Sequence, residues 1–257
     1  MVIDVNGISM HWEEFGEGEP LLWLHGGMGC GADWRYVFRE PPPGYRLIAP
    51  DLRGHGASTS SGTFTFRQCA LDVRALLDHL NVRRVKAIGL SGGGIVLLHM
   101  ANGATGDPSC IESMVVISAP AYFPPEARAI MRQFSEATLG AAEMERMRAR
   151  HTRGDSQVRE LIAMARGFAD SYDDVNFTPP HLSTITADTL IVFGDRDPLY
   201  PASIAMELHR AIPRSFLWVV PNGPHGPIFG ELAPQFVTTA AAFLGGAWRS
   251  ANPHNQG

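Results

Sequence analysis

The sequence predicts an α/β fold: a mostly parallel sheet of about eight strands flanked by helices and interrupted by a helical insertion. Three observations carry this expectation. Short, solidly apolar runs of strand length alternate with stretches whose apolar residues recur at helical spacing. The run that opens at Val85 passes through Gly89-Leu90-Ser91-Gly92-Gly93 and continues as an apolar run of helical length to Met100. From Ala119 to Asp188 the alternation stops, leaving helix-like stretches with polar gaps and no convincing buried strand.

Taken in order, Val2–Val5 and Ile8–Glu14 alternate apolar and polar residues around Asn6-Gly7, so an antiparallel hairpin opens the sheet. Pro20–Leu24 is apolar throughout, as a strand buried on both faces should be, and runs into His25-Gly26-Gly27-Met28-Gly29. A helix is expected over Ala32–Phe38, ended by the prolines at 41–43. Arg46–Pro50 is the next buried strand and feeds Asp51-Leu52-Arg53-Gly54-His55-Gly56-Ala57-Ser58. Phe66–Leu80 places Ala70, Val73, Leu76, Leu77 and Leu80 at helical spacing. The Ser91 strand and helix follow, then a strand over Ile111–Ser118. Strands at Thr189–Phe193 and Phe216–Val220 flank a helix over Ser203–Ala211. Phe236–Leu244 is the closing helix, and the polar tail from Trp248 is expected to fray. A gap of about 70 residues far exceeds the usual connection between such elements. Residues 119–188 are therefore expected to form a helical cap, and 1–118 with 189–257 one core domain.

Composition narrows the function classes. Hydrophobic residues make up 45% and charged residues 18%, an ordinary globular balance that excludes disorder. A formal net charge of −5 with no basic stripe argues against a nucleic-acid partner. Arg146–Arg153 alternates with Met, Ala and His and reads as a solvated helix face. Cys30, Cys69 and Cys110 are odd in number and far apart, so neither a disulfide framework nor a metal site is expected. No long apolar stretch or leader-like N-terminus occurs, which points to a cytoplasmic protein without a membrane partner.

The chemistry gathers at Ser91. A serine at the apex of a sharp strand-to-helix turn brings the residues two before and two after it together, and side chains at Gly89 and Gly93 would collide there. The turn presents the hydroxyl and sets the Gly92 N–H at a helix N-terminus, where it can receive an oxyanion. Gly92 and Gly93 are also expected to leave space beside the serine. A serine nucleophile needs a base and a carboxylate to orient that base. The strand Thr189–Phe193 ends in Gly194-Asp195-Arg196-Asp197, and the next one in Asn222-Gly223-Pro224-His225. Both loops fall on the carboxyl edge of a parallel sheet, where ligands bind.

His-Gly-Gly at 25–27, Asp-Leu-Arg-Gly-His-Gly-Ala-Ser at 51–58, Gly-Leu-Ser-Gly-Gly at 89–93, Gly-Asp-Arg-Asp at 194–197 and the late His225 together resemble the α/β-hydrolase superfamily. The resemblance covers nearly the whole chain outside the cap. It implies the α/β-hydrolase fold, Ser91 as nucleophile, His225 as base and then acid, and Asp197 as orienting carboxylate, with Asp195 the rival. It places the second oxyanion N–H at Gly27, with Met28 as the alternative. Dehalogenases and most epoxide hydrolases of the superfamily carry Asp at the elbow; Ser91 here favours acyl transfer. The expected function is a carboxylic-ester hydrolase acting on small-molecule esters or lactones, with no cofactor and no metal. A carbon–carbon bond hydrolase of ring-cleavage products or a perhydrolase would use the same triad. A non-catalytic ligand-binding member of the fold is a further alternative. His25 and His55 are expected to bond loop backbone, and His79, His99, His151, His181 and His209 to be ordinary helix, cap or surface residues. Met131, Phe134, Met144, Met147, Leu161 and Phe168 supply apolar cap faces. Trp34 and Cys30 are candidates for the pocket edge.

Overall fold

The computed structural model describes residues 1–62 and 64–248; the tail expected to fray lies almost wholly outside them. The hairpin is present, with β1 (Val2–Val5) paired antiparallel to β2 (Ile8–Phe15). Asn6 and Gly7 both take positive φ, 46° and 79°, as a two-residue hairpin turn requires. The remaining strands are β3 (Glu19–Leu24), β4 (Tyr45–Pro50), β5 (Val85–Leu90), β6 (Ile111–Ile117), β7 (Asp188–Gly194) and β8 (Ser215–Val220). Together they form one eight-stranded sheet in the order β1-β2-β4-β3-β5-β6-β7-β8. Every pair from β4 to β8 is parallel.

The period of two along each buried strand builds two cores. Leu22, Leu24, Ala87, Met114, Val116 and Phe193 face one side, where α1 (Phe66–His79) and α2 (Gly92–Ala101) pack. Leu21, Trp23, Ile88, Val115, Leu190 and Val192 face the other, under α8 (Ala233–Leu244). The helix expected over Ala32–Phe38 is instead a short 3-10 helix at Gly31–Tyr36. Trp34 packs there against Phe15, in the α8-side core, and Cys30 is buried; neither lines the cavity beside Ser91.

Between β6 and β7 the chain runs through α3 (Pro125–Met131), α4 (Glu136–Arg150), α5 (Asp155–Gly167) and the single turn α6 (Pro179–Leu182). The only pairing there among the described residues is an isolated bridge, Tyr122 to Asn176. Met144, Met147, Val158, Leu161 and Ile162 form a core of their own between α4 and α5. The end of α4 is not the solvated face expected for Arg146–Arg153. Arg146 and Arg148 do pair on the surface, but Arg150 reaches Asp33 at 3.1 Å and His151 is 1% exposed. α7 (Ala202–Ala211) links β7 to β8. Strand order reverses between β3 and β5, and the loops leaving these two strands flank the crevice where such sheets bind ligands.

Candidate active site

Ser91 follows β5 directly and occupies the N-cap of α2 with φ 50° and ψ −113°. Such backbone costs about 1–3 kcal/mol and persists only when its surroundings hold it. Here Ser91 N–H donates to Ile117 O at 2.7 Å, and Ile95 N–H returns to Ser91 O at 3.0 Å. A methyl group on Gly89 would sit 2.6 Å from Gly93 O, which is the close approach expected of the turn. Of the two glycines expected to leave space beside the serine, Gly92 lines the cavity and Gly93 does not. A methyl on Gly93 would lie 2.6 Å from the Leu24 carbonyl carbon, and one on Gly92 3.0 Å from Phe66 Cε1. Gly93 lets α2 press against the end of β3, whereas Gly92 faces Phe66 and lines the cavity with Ser91.

His225 is brought to the same edge by the loop after β8. That loop is tied to the one after β7, since Arg196 N–H donates to Gly223 O at 2.9 Å. From the other side, Gly226 N–H donates to the fully buried Ser118 Oγ at 3.0 Å, a contact the sequence did not disclose. His225 Nδ1 lies 2.8 Å from Asp197 Oδ2, and the Asp197 side chain is fully buried. Asp197 Oδ1 accepts from Leu199 N–H and Tyr200 N–H at 2.8 and 3.1 Å, which fixes the carboxylate. A carboxylate accepts, so Nδ1 carries the imidazole proton and Nε2 presents a lone pair. Asp195 is exposed, its N–H bound to Val220 O. Between the two candidate carboxylates, only Asp197 meets the histidine.

Ser91 and His225 line one cavity of about 220 Å³ with Gly27, Met28, Phe66, Gly92, Ile95, Phe123, Met131, Phe134, Ala165, Phe168, Leu199 and Tyr200. Its walls are apolar and no Lys, Arg, Asp or Glu lines it. The Phe66, Phe123 and Phe168 rings meet at tilted or edge-on angles with centroids 5.0 to 6.4 Å apart, and the Tyr200 ring meets His225 edge-on at 5.5 Å. Burial and the nearby Asp197 push the Tyr200 phenol well above its ordinary value, so it stays neutral. Larger hollows exist, of about 630 Å³ beneath α8 and about 440 Å³ beside α5, but neither holds Ser91 or His225. Of the apolar insertion residues singled out, Met131, Phe134 and Phe168 line the site, whereas Met144, Met147 and Leu161 pack the insertion itself.

The loop after β3 supplies the facing backbone. Gly27 N lies 3.5 Å from the position a Gly92 methyl would take, so the two residues border one spot. Met28 N–H is already given to His55 Nε2 at 3.3 Å, which favours Gly27 over Met28 as a donor to ligand. His25 and His55 bond loop backbone, as expected: His25 Nδ1 to Gly26 O at 2.7 Å, His55 Nδ1 to Arg53 O at 3.0 Å. Both are buried, and burial lowers their pKa. His99, on α2, and His151, at the end of α4, are both buried and bonded to backbone, His99 Nε2 to Asp174 O at 2.8 Å. Among the described residues no group of three or more His, Cys, Asp or Glu is placed to hold a metal ion, and no helix is long and apolar enough to cross a membrane.

Comparison with known proteins agrees with this architecture. The chain is 26% identical over 245 residues to a pimeloyl-[acyl-carrier protein] methyl ester esterase of Vibrio vulnificus, covering 87% of this chain and 93% of that one. It is 28% identical over 262 residues to the human serine hydrolase BPHL, covering 94% and 85%. Among solved structures, the enol-lactonase from Burkholderia xenovorans superposes with a TM-score of 0.76 at 22% identity, over 95% of this chain and all of that one. The model of the alpha/beta hydrolase family matches residues 21–240. With the sheet order, the strained serine turn and the His225–Asp197 pair on one edge, that match shows that the chain belongs to the alpha/beta hydrolase family.

Proposed function

We propose that this protein is a serine hydrolase that cleaves uncharged carboxylic esters or lactones through an acyl-enzyme on Ser91. The observation that carries the reading is the 2.8 Å bond from His225 Nδ1 to the buried Asp197, at a cavity that Ser91 also lines. With Nδ1–H held by Asp197, His225 Nε2 is the base that takes the Ser91 proton as Oγ attacks the substrate carbonyl. Gly27 N–H and Gly92 N–H receive the oxyanion, the second at the N-terminus of α2 where the helix dipole also favours negative charge. Collapse of the tetrahedral intermediate expels the alcohol, which takes its proton from His225. Water, deprotonated by the same nitrogen, then attacks the acyl group, and Ser91 leaves with the returned proton.

In this reading α3–α5 cap the cavity, supplying Met131, Phe134 and Ala165 as its roof. A charged acyl group would lose its hydration there without finding an ionic partner, so neutral, apolar groups are favoured. The name of one relative, a methyl ester esterase, supports ester chemistry. The test is turnover of p-nitrophenyl acetate and butyrate by wild type and Ser91→Ala. The variant should fold and lose on the order of 10³-fold or more in kcat. Retention of more than about a tenth of wild-type kcat would overturn the reading; binding without turnover by the wild type would mark a ligand-binding member instead.

A further inference from the structure

One buried titratable group outside the proposed chemistry joins the helical insertion to the loop after β3. Gly26-Gly27-Met28-Gly29 is a turn closed by Gly29 N–H to Gly26 O at 3.1 Å. Met28 sits in it at φ 61°, left-handed backbone that disfavours any side chain. Glycine would be the relaxed choice, yet the methionine packs against the α4–α5 core and lines the Ser91 cavity. Its peptide groups are gripped on both sides. Met28 N–H donates to His55 Nε2 at 3.3 Å, and Met28 O lies 3.1 Å from Nε2 of His151, 123 residues away in sequence. His151 Nδ1 in turn accepts from Gly56 N–H at 3.0 Å. An amide can only donate, so Nδ1 is the acceptor and Nε2 carries the proton given to Met28 O. One neutral imidazole thus bridges two loops of the sheet domain.

We propose that His151 is a positioning residue for the oxyanion site: from the end of α4 it holds the Met28 carbonyl, and through it keeps Gly27 N–H aimed at the substrate. The inference rests on the hydrolase reading above. The route is short. Gly27 N–H shares a planar trans peptide with Gly26 C=O, so fixing the carbonyl fixes the opposite direction of the N–H. That carbonyl has two restraints, His25 Nδ1 at 2.7 Å and Gly29 N–H at 3.1 Å. Gly29 N–H belongs to the peptide whose carbonyl His151 grips. Releasing Met28 from its left-handed backbone removes one of the two restraints. The insertion therefore does more than roof the cavity: its docking onto the core sets the donor.

The test compares His151→Gln with His151→Phe. A carboxamide offers one acceptor and one donor side by side, as the neutral imidazole does, whereas phenylalanine keeps a ring and offers neither. His151→Ala is carried alongside in case the larger ring does not fold, and thermal melts confirm folding of each. The Phe or Ala variant should lose kcat on the order of tenfold with KM changed by less than about twofold, because the lost contact acts on the transition state. Gln should recover to within about threefold of wild type. Amide exchange read by NMR should quicken at Met28 and Gly56 in the Phe or Ala variant and not in Gln. Wild-type kcat in the folded Phe or Ala variant overturns the inference, whether or not exchange quickens. So does a Gln variant as impaired as Phe. If the wild type shows no Ser91-dependent turnover, the hydrolase reading fails separately. The exchange comparison then decides alone: quickening confined to the Phe or Ala variant retains the clamp, and unchanged exchange overturns it.

Discussion

At the residue scale, two neighbouring carboxylates separate cleanly. Both oxygens of Asp197 are used, one by His225 and one by two backbone amides, while Asp195 is exposed. Asp197→Asn would turn an amide N–H₂ or a weaker acceptor toward His225 and favour the wrong tautomer. It should cost on the order of 10³-fold or more in kcat, and Asp195→Asn less than about threefold; the reverse ranking in folded proteins would reassign the acid. A second residue-scale expectation concerns acid. Burial lowers His151 from 6.5 to about 4, with Met28 O and Asp51 opposing and His25 and Arg150 assisting. Between those values the unfolded chain binds a proton that the native protein refuses. The stability from neutral His151 is thus complete above about pH 6.5, declines as pH falls, and is gone below about pH 4, a change on the order of 3 kcal/mol. Buried His25 and His55 shift in the same direction. Denaturant stability should fall through this window, and His151→Gln should flatten the fall; parallel curves would show that His151 is not the sensor.

At the scale of elements, the turn between β5 and α2 and the turn after β3 make opposite demands on glycine. A methyl on Gly93 meets Leu24 and His25 backbone at 2.6 to 2.7 Å, atoms fixed at the end of the central strand. Gly93→Ala should therefore destabilise by about 2–3 kcal/mol, or move the elbow and abolish turnover. At Gly27 nothing lies within 4 Å of an added methyl and the N–H is kept. Gly27→Ala should stay within about 0.5 kcal/mol of wild type in urea denaturation. Equal losses at the two positions would contradict the packing of α2 on β3. The end of α4 is the other informative element: its arginines divide between solvent and Asp33, and its last contact is the buried His151.

At the scale of the whole molecule, the Ser91 cavity is a junction between sheet edge and insertion, and Phe168 forms part of the wall it shares with the 440 Å³ hollow beside α5. Phe168→Ala should merge the two spaces. The ratio of kcat/KM for p-nitrophenyl octanoate over butyrate should then rise on the order of tenfold, the effect of burying about two of the four extra methylenes at about 0.8 kcal/mol each. An unchanged ratio in a folded variant would show that longer acyl groups leave the cavity by another face. Loss of the Phe66–Phe168 contact at 5.0 Å carries its own cost, below the roughly 3 kcal/mol of a fully buried Phe→Ala because Phe168 is partly buried, so thermal melts accompany the assay.

Sequence alone determined the parts of this protein whose physics is local. Strand and helix succession followed from periods of two and 3.6, the hairpin from Asn6-Gly7, and the elbow from a serine between glycines two residues away on either side. Ser91 and the loops carrying Asp197 and His225 were legible because each follows the end of a strand, and parallel strands deliver their carboxyl ends to one edge; the choice of Asp197 over Asp195 came from the family resemblance. The tertiary structure decided what depends on contacts between distant residues. It showed that Gly93 admits a neighbouring strand rather than a ligand, that Trp34 belongs to the opposite core, and that Met28 N–H is already taken. It also placed His151 inside the molecule, where its pattern on α4 read as surface. Helical periodicity shows which residues share a face, but what that face meets is settled only when a loop 123 residues earlier arrives with an unpaired carbonyl.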